Sequence, residues 1–225
     1  MISRFISRLR RQVNEIRVDT RHPESYWILR GKNVIGQAGP EELRKGRQVE
    51  TYYAIFNAIE NRSLTQVVDL GCNVAALGQL LYYWGYSGTY VGIDNNPYAL
   101  RVARRNLSSM SDYCHLANAN IRALPFNDRS CKCVVMKDVL EHMEDFRPLL
   151  REAARISFKY IIVANFIPWT EGRTIIRRES QGFYHNMYNR HDVYSFAKEL
   201  GLEVEEVLSA LEKNARANEV VVFGR

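Results

Sequence analysis

Short apolar runs and longer amphipathic segments alternate along most of the chain. From residue 66 onward, runs rich in Val, Ile and Tyr predict five strands, at residues 66–70, 89–94, 113–117, 131–137 and 159–165. Between them, apolar residues recur at helical spacing and predict helices at residues 75–84, 97–107 and 146–156. This alternation is typical of βαβ crossovers, so we expect a doubly wound, mostly parallel sheet with helices on both faces.

The last two apolar runs break that alternation. Residues 202–208 and 218–223 are both strand-like, and only about nine residues separate them. A parallel crossover needs about a dozen residues or more, so these two strands are expected to pair as an antiparallel hairpin. The expected fold class is therefore α/β, with a doubly wound sheet of seven strands that ends in an antiparallel hairpin.

The first 60 residues follow a different pattern, which predicts an N-terminal helical extension or cap (1–60) on a domain that spans 61–225. Residues 1–17 place an apolar stripe opposite a set of arginines. Glycines at residues 18–46 indicate a loop or lid, and residues 42–59 resume a helical pattern. Three interpretations of the basic helix stay open: it packs on its own domain, lies on an anionic membrane surface, or binds nucleic acid.

Charge and composition narrow the function classes. Residues 1–50 hold 11 Lys and Arg against 6 Asp and Glu, which accounts for most of the net charge of +6. The sequence lacks an apolar run of about 20 residues and a secretory signal pattern, so we expect a cytoplasmic protein, with peripheral contact at the inner membrane surface as an alternative. The cysteines are expected to be free, buried thiols rather than disulfides or metal ligands. They are Cys72, Cys114, Cys131 and Cys133.

The sharpest motif runs from Val67 to Gly78, where an apolar strand passes through a small-residue turn into a helix. In a doubly wound sheet, ligands lie at the carboxyl end of the first strand, and the helix that follows directs N–H groups at an anionic part of the ligand. The second strand ends at Asp94, 23 residues beyond Gly71. A carboxylate there accepts hydrogen bonds from both hydroxyls of a ribose and repels a 2′-phosphate.

Four motifs, in order and spacing, resemble those of class I S-adenosylmethionine-dependent methyltransferases, nearest to the subgroup that acts on small molecules. The resemblance covers roughly residues 66–225 and implies a Rossmann-like methyltransferase fold with S-adenosyl-L-methionine as cofactor. The family fold also ends in an antiparallel hairpin. The motifs are Asp69-Leu70-Gly71-Cys72, Gly92-Ile93-Asp94, Ala123-Leu124-Pro125-Phe126 and Asp138-Val139-Leu140-Glu141-His142.

The resemblance also implies which residues contact the methionine half of the cofactor. Asp69 and the backbone of Gly71 and Cys72 take that position, and the backbone carbonyl of Lys137 lies near it. Asn73 stands in the turn where the family has glycine, and asparagine tolerates the positive φ that such a turn needs. Two further departures from the family pattern are Ala75 in place of glycine and Lys132 in place of Asp.

The other half of the cofactor is assigned in the same way. By resemblance Asp94 holds the ribose, and Asn95 borders the adenine. Asn120 takes the position where the family has an Asp that contacts the adenine amino group, and Ile121 packs beside the ring. No metal is expected, since no second Cys or His pair stands at ligand spacing.

Methyl transfer from a sulfonium is an in-line displacement, so the protein mainly aligns the reactants and excludes water. A general base matters only where the nucleophile carries a proton that must leave. Candidate groups follow strands four and five: Asp138 and His142, four residues apart and expected on one face of a helical turn, and His185, in a predicted lid at residues 166–189. The plain alternatives are a packing role for His142 and ordinary loop surface for His185.

The sequence therefore predicts a methyltransferase that acts on an O, N or C nucleophile of a small-molecule, sugar-linked or lipid-linked acceptor. The alternative is a non-catalytic methyltransferase-like protein that uses its basic N-terminal helix to bind membrane or nucleic acid. A dehydrogenase is disfavoured because Gly71, Asn73 and Ala76 occupy its Gly-x-Gly-x-x-Gly positions. A nucleic-acid acceptor is less favoured, because the Pro-Pro-Tyr signature is missing after strand four. The oligomeric state stays open.

Overall fold

The computed structural model describes residues 43–44, 48–110, 112–211 and 217–225. The predicted basic helix at residues 1–17 and most of the predicted loop or lid at residues 18–46 lie outside them. Within them lie five α-helices: α1 (Val49–Glu60), α2 (Ala76–Tyr83), α3 (Pro97–Asn106), α4 (Arg147–Ile156) and α5 (Arg190–Glu199). The strands are β1 (Gln66–Leu70), β2 (Thr89–Asp94), β3 (Cys114–Asn118), β4 (Cys131–Lys137), β5 (Ser157–Asn165), β6 (Glu203–Leu211) and β7 (Ala217–Gly224).

The seven strands form one sheet in the order β3-β2-β1-β4-β5-β7-β6. Strands β1 to β5 pair in parallel, whereas β7 runs antiparallel to both β5 and β6. The predicted fold class is confirmed, including the terminal hairpin. Because the strand order reverses beside β1, the carboxyl ends of β1 and β4 border a crevice, which is where ligands bind in sheets of this kind.

Helices cover both faces of the sheet and bury its apolar side chains. On one face α4 and α5 pack, with Leu149, Leu150 and Val193 fully buried. The other face is covered by α1, α2 and α3, and Ile55 and Ile59 of α1 are fully buried there. Helix α1 falls inside the predicted cap at residues 1–60, and its contacts make it part of the core of the domain.

Helix α5 is the element that the sequence analysis did not identify. Its first turn is capped by Asn189, whose side chain accepts a hydrogen bond from the N–H of Asp192 (2.9 Å). Val193, Phe196 and Ala197 are buried at helical spacing. Both signals are present in the sequence, but they follow a long polar segment that was interpreted only as a lid.

The cysteines are free thiols, as expected; Cys72, Cys131 and Cys133 are buried and Cys114 is half-buried. None of the helices among the described residues has both the length and the apolarity needed to cross a bilayer.

Candidate active site

A cavity of about 230 Å³ opens at the carboxyl ends of the parallel strands. Each of β1 to β4 contributes a predicted site residue from its end or from the loop that follows it. Seven of the predicted residues meet in this one wall: Gly71, Asp94, Asn95, Asn120, Ile121, Asp138 and His142. They span 72 positions of the chain, and the parallel sheet brings them together because its strands all end at the same edge.

The turn after β1 has a left-handed backbone at three positions. The φ angle is 77° at Gly71, 50° at Asn73 and 58° at Ala75. The two residues that replace family glycines thus adopt the conformation that glycine favours. For Ala75, which is fully buried, this conformation costs on the order of 1–2 kcal/mol. Such strain is characteristic of functional turns and is held in place by the packing around it.

Asp94 is fixed at the end of β2 by two backbone groups. Its Oδ2 accepts from the N–H of Asn73 and its Oδ1 from the N–H of Asn96, both at 2.8 Å. Burial raises the pKa of Asp94, while these N–H groups oppose the rise. A carboxylate offers about four acceptor sites, so both oxygens retain capacity for the hydroxyl groups of a ribose.

The backbone N–H groups of the turn are already engaged. Those of Gly71 and Cys72 both donate to the carbonyl oxygen of Ile93, at 2.8 and 3.0 Å. These two N–H groups are therefore not available to an anionic ligand group, and the predicted backbone contact with the methionine half would have to use carbonyl oxygens. Cys72 itself is buried beneath the turn.

Asp69 lies in the interior of the sheet. It is only 4% exposed, and the hydroxyl of Tyr90 donates to its Oδ2 at 2.6 Å. Burial raises the pKa of this carboxyl to about 7, against the opposing effects of Tyr90 and the charge of Lys137. The structure thus places Asp69 behind the turn. Of the described residues predicted to contact the cofactor, four are outside the cavity wall: Asp69, Cys72, Asn73 and Lys137.

Lys137 and Asp138 connect the end of β4 to helix α1. The ammonium of Lys137 pairs with Oδ2 of Asp138, donates to Oε1 of Gln48 (3.0 Å), and lies 4.4 Å from the ring centroid of Tyr52. Gln48 also donates to Asp138 Oδ2 at 2.9 Å. Sequence reasoning missed Gln48 and Tyr52, since a contact across about 90 residues leaves no local pattern.

Asp138 has two features typical of a binding site. Its backbone is left-handed, with φ of 56°, and its Oδ1 is buried without a hydrogen-bond donor among the described residues. Asp138 and His142 share the cavity wall, but the predicted helical turn that joined them is wrong. A short 3-10 helix, Leu140–His142, begins two residues after Asp138, so Asp138 itself is not part of a helical turn.

An aromatic cluster forms the wall beyond Asp138. Nδ1 of His142 lies 2.8 Å from the backbone carbonyl oxygen of Tyr184, which also lines the cavity. The ring of His185 is 5.2 Å from that of His142, centroid to centroid, and its Nδ1 is 3.4 Å from Oε1 of Glu179. His185 therefore packs beside His142 and does not itself line the cavity.

Glu141 ties the segment at residues 166–189 to this wall. Its Oε1 accepts from the N–H of Phe166 (3.0 Å), and its backbone carbonyl accepts from the N–H of Asn186 (2.8 Å). The side-chain amide of Asn165, oriented with Nδ2 toward Glu141, donates to Oε2 at 2.9 Å. Burial, and next the charge of Asp138, raise the pKa of Glu141 to about 8.

Comparison with known proteins agrees with this geometry. Residues 68–158 match the family model described as a methyltransferase domain. The magnesium protoporphyrin IX methyltransferase of Synechocystis, solved with bound S-adenosylmethionine, superposes with a TM-score of 0.64 at 15% identity, over 87% of this chain and 89% of that one. The 1,6-didemethyltoxoflavin-N1-methyltransferase of Burkholderia thailandensis gives 0.63 at 13% identity, over 91% and 90%.

An uncharacterized 37.1 kDa protein in a transposon of Streptomyces fradiae is 30% identical over 131 residues. That match covers 55% of this chain and 38% of the transposon protein. Fold, motifs and matches agree: residues 68–158 match a methyltransferase domain, and the fold is the one seen in class I, S-adenosylmethionine-dependent methyltransferases. The family match covers residues 68–158, and the Synechocystis structure of the same fold holds S-adenosylmethionine.

Proposed function

We propose that the protein transfers a methyl group from S-adenosylmethionine to a nucleophile of a small-molecule, sugar-linked or lipid-linked acceptor. The observation that carries this proposal is the single cavity in which Gly71 and Asp94 stand beside Asp138 and His142. Two structural relatives support the small-molecule class, since one is a magnesium protoporphyrin IX methyltransferase and the other a 1,6-didemethyltoxoflavin-N1-methyltransferase.

The residues present fit the cofactor. Bound S-adenosylmethionine supplies an electrophilic methyl group on a cationic sulfur. Asp94 is the partner for the ribose, and Asn120 and Ile121 are the partners for the adenine. On the methionine side, the carbonyl of Gly71 and the buried, unpaired Oδ1 of Asp138 are acceptors suited to an ammonium group.

The chain's own contribution to the reaction is alignment and exclusion of water. Segment 166–189 covers the acceptor side and is held down by Glu141 and by Met143, whose carbonyl oxygen accepts from the side chains of Asn186 and Tyr188. The cavity therefore has a cofactor end at β1 and β2 and an acceptor end at His142 and Tyr184.

Isothermal titration with S-adenosylmethionine tests the cofactor half. Binding to the parent protein is expected, and Asp94→Asn should weaken it about 10- to 100-fold, the range for loss of a charged hydrogen-bond acceptor. Asp112→Asn is the matched control, because Asp112 is exposed at the opposite edge of the sheet. Absence of heat with the parent protein, or equal affinity in Asp94→Asn, would overturn the proposal and favour a non-catalytic binding protein.

Membrane contact through residues 1–17 is a separate part of the proposal. A variant that lacks these residues should bind S-adenosylmethionine as the full chain does, but should co-sediment less with vesicles that contain phosphatidylserine. Equal sedimentation of the two proteins would remove the membrane contact and leave the methyltransferase proposal intact.

A further inference from the structure

We infer that His142 accepts the proton of a hydroxyl acceptor, so that the methyl group is transferred to oxygen. The inference rests on the proposed function and names the acceptor class of that same site. It begins from one contact: Nδ1 of His142 lies 2.8 Å from the carbonyl oxygen of Tyr184. A carbonyl oxygen only accepts hydrogen bonds, so Nδ1 must carry the hydrogen. In the neutral imidazole the basic nitrogen is then Nε2.

The ring is also held in orientation. Aromatic rings surround it, with centroids of Phe166 at 5.6 Å, His185 at 5.2 Å and Phe183 at 6.4 Å. The 3-10 turn that carries His142 is anchored on both sides, by Glu141 and by Met143. Tautomer and ring plane are both fixed before any ligand binds, which is the preorganisation that a general base requires.

His142 lies in the same wall as the residues that hold the cofactor. Gly71, Asp94, His142 and Tyr184 all line this one cavity. An acceptor bound against Tyr184 would therefore lie beside the imidazole and in the same cavity as the methyl group. Val139 and Met143 also line the cavity, and their apolar side chains suit a largely apolar acceptor.

The need for a base selects the acceptor atom. A neutral amine carries a lone pair and reacts before it loses a proton, whereas a hydroxyl of phenol or enol type has a pKa near about 10 and is protonated at neutral pH. A neutral imidazole is matched to that task because its own pKa lies near the working pH. The site thus favours an acceptor that must lose a proton, of which a weakly acidic hydroxyl is the simplest, over an amine.

In the reaction, a lone pair of the acceptor oxygen forms the bond to the methyl carbon while the carbon–sulfur bond breaks and its electron pair remains on sulfur. The proton of the hydroxyl goes to Nε2 of His142, and the resulting imidazolium releases it to solvent, since the residue is half-buried. Charged groups face this ring from several elements. Asp138, Glu144 and Arg122 line the cavity, and the Glu179–His185 pair packs beside it.

The first test is independent of the acceptor. Long-range proton–nitrogen correlation spectra of the protein labelled with ¹⁵N-histidine report the tautomer of each ring, and His142→Asn identifies the signal. The expected result is a neutral His142 with its proton on Nδ1. A proton on Nε2 would overturn the inference whatever the activity.

The second test measures transfer. His142→Asn keeps a side-chain N–H for the carbonyl of Tyr184 and removes the base. Methyl-labelled S-adenosylmethionine is incubated with the small-molecule fraction of a cell extract, and label transfer should fall by about 100- to 10,000-fold. Affinity for S-adenosylmethionine should stay within about twofold of the parent. His115→Asn is the control, since His115 is exposed on β3.

The outcomes separate the two proposals. If the parent protein neither binds S-adenosylmethionine nor transfers label, the proposed function fails. If it transfers label and His142→Asn retains the full rate, the general base fails. The carbon-13 shift of the transferred methyl shows its partner atom, and a methyl on nitrogen or carbon would overturn the hydroxyl assignment while leaving the methyltransferase proposal in place.

Discussion

The carboxylate of Asp94 accepts a hydrogen bond from the backbone N–H of Asn73, at 2.8 Å. This bond links the end of β2 to the turn that follows β1, so that the proposed ribose partner and the left-handed turn form one unit. The turn positions the carboxylate, and the carboxylate in turn stabilises a backbone conformation that asparagine adopts more readily than other non-glycine residues.

A substitution at Asn73 tests that coupling. Asn73→Val should destabilise the protein by about 1–2 kcal/mol, because a β-branched residue is strained at φ of 50°, and it should weaken S-adenosylmethionine binding as Asp94 loses its fixed partner. Asn73→Gly is the matched control, which keeps the N–H and permits the angle. Urea unfolding and titration calorimetry measure the two effects. Equal stability of the two variants would contradict the account of the turn.

Arg155 anchors the loop that follows Asn120, the proposed partner of the adenine. Its guanidinium binds both oxygens of Glu152 and the carbonyl oxygens of Leu124 and Phe126, just beyond Asn120 in the chain. Arg155→Lys should lower the free energy of unfolding by about 1–2 kcal/mol, since an ammonium cannot reproduce the planar fork of donors.

Binding of S-adenosylmethionine should weaken in the same variant, because the loop that carries Asn120 loses its anchor. The control is Arg104→Lys, at an exposed position near the end of α3. Chemical denaturation and calorimetry of both variants give the comparison. Parent-like behaviour of Arg155→Lys would show that the loop is held by its apolar contacts alone.

Lys137 compensates the charge of Asp138 in a poorly hydrated environment. Lys137→Met removes the ammonium and leaves the carboxylate with Gln48 as its side-chain donor, so a loss of about 3 kcal/mol is expected. Lys198→Met, at an exposed position of α5, should cost little. Thermal and urea unfolding measure the difference. A small effect of Lys137→Met would mean that water reaches Asp138 when the ion pair is lost.

The pH dependence of stability follows from two buried carboxyls. Burial raises the pKa of Asp69 from 3.8 to about 7 and that of Glu141 from 4.5 to about 8. The folded state therefore retains protons that the unfolded chain has already released. The stabilisation of the folded state by these two raised pKa values is fully present below about pH 4 and is lost as the pH rises to about 8.

Glu141→Gln removes one of these titrations while it keeps an acceptor for the N–H of Phe166. Relative to the parent protein, the variant should gain stability as the pH rises from 5 to 8. Glu152→Gln serves as the control, because the hydrogen bond from Arg155 lowers the pKa of Glu152 and places its titration below this range, so its profile should run parallel to that of the parent protein. Urea titrations across this range decide the matter, and parallel pH profiles for parent and Glu141→Gln would contradict a raised pKa at Glu141.

The sequence by itself determined the sheet, its direction and the positions of its turns. Strand-like apolar runs predicted all seven strands, because a buried strand needs apolar side chains over a short stretch of sequence. The nine-residue gap before residue 218 required a hairpin, since it is too short for a crossover. Asp94 and Gly71 were expected to be neighbours because each follows a parallel strand, and parallel strands end at the same edge of the sheet.

Only the tertiary structure decided the contacts that give these residues their properties. Gln48 reaches Asp138 across 90 positions, and the carbonyl of Tyr184 reaches His142 across 42. Burial sets the pKa of Asp69, and the path of the chain after β4 sets the backbone of Asp138. Each of these properties depends on how separate helices and strands pack against each other. Packing energy depends on distances between atoms that are far apart in the sequence, so a local pattern of residues does not predict it.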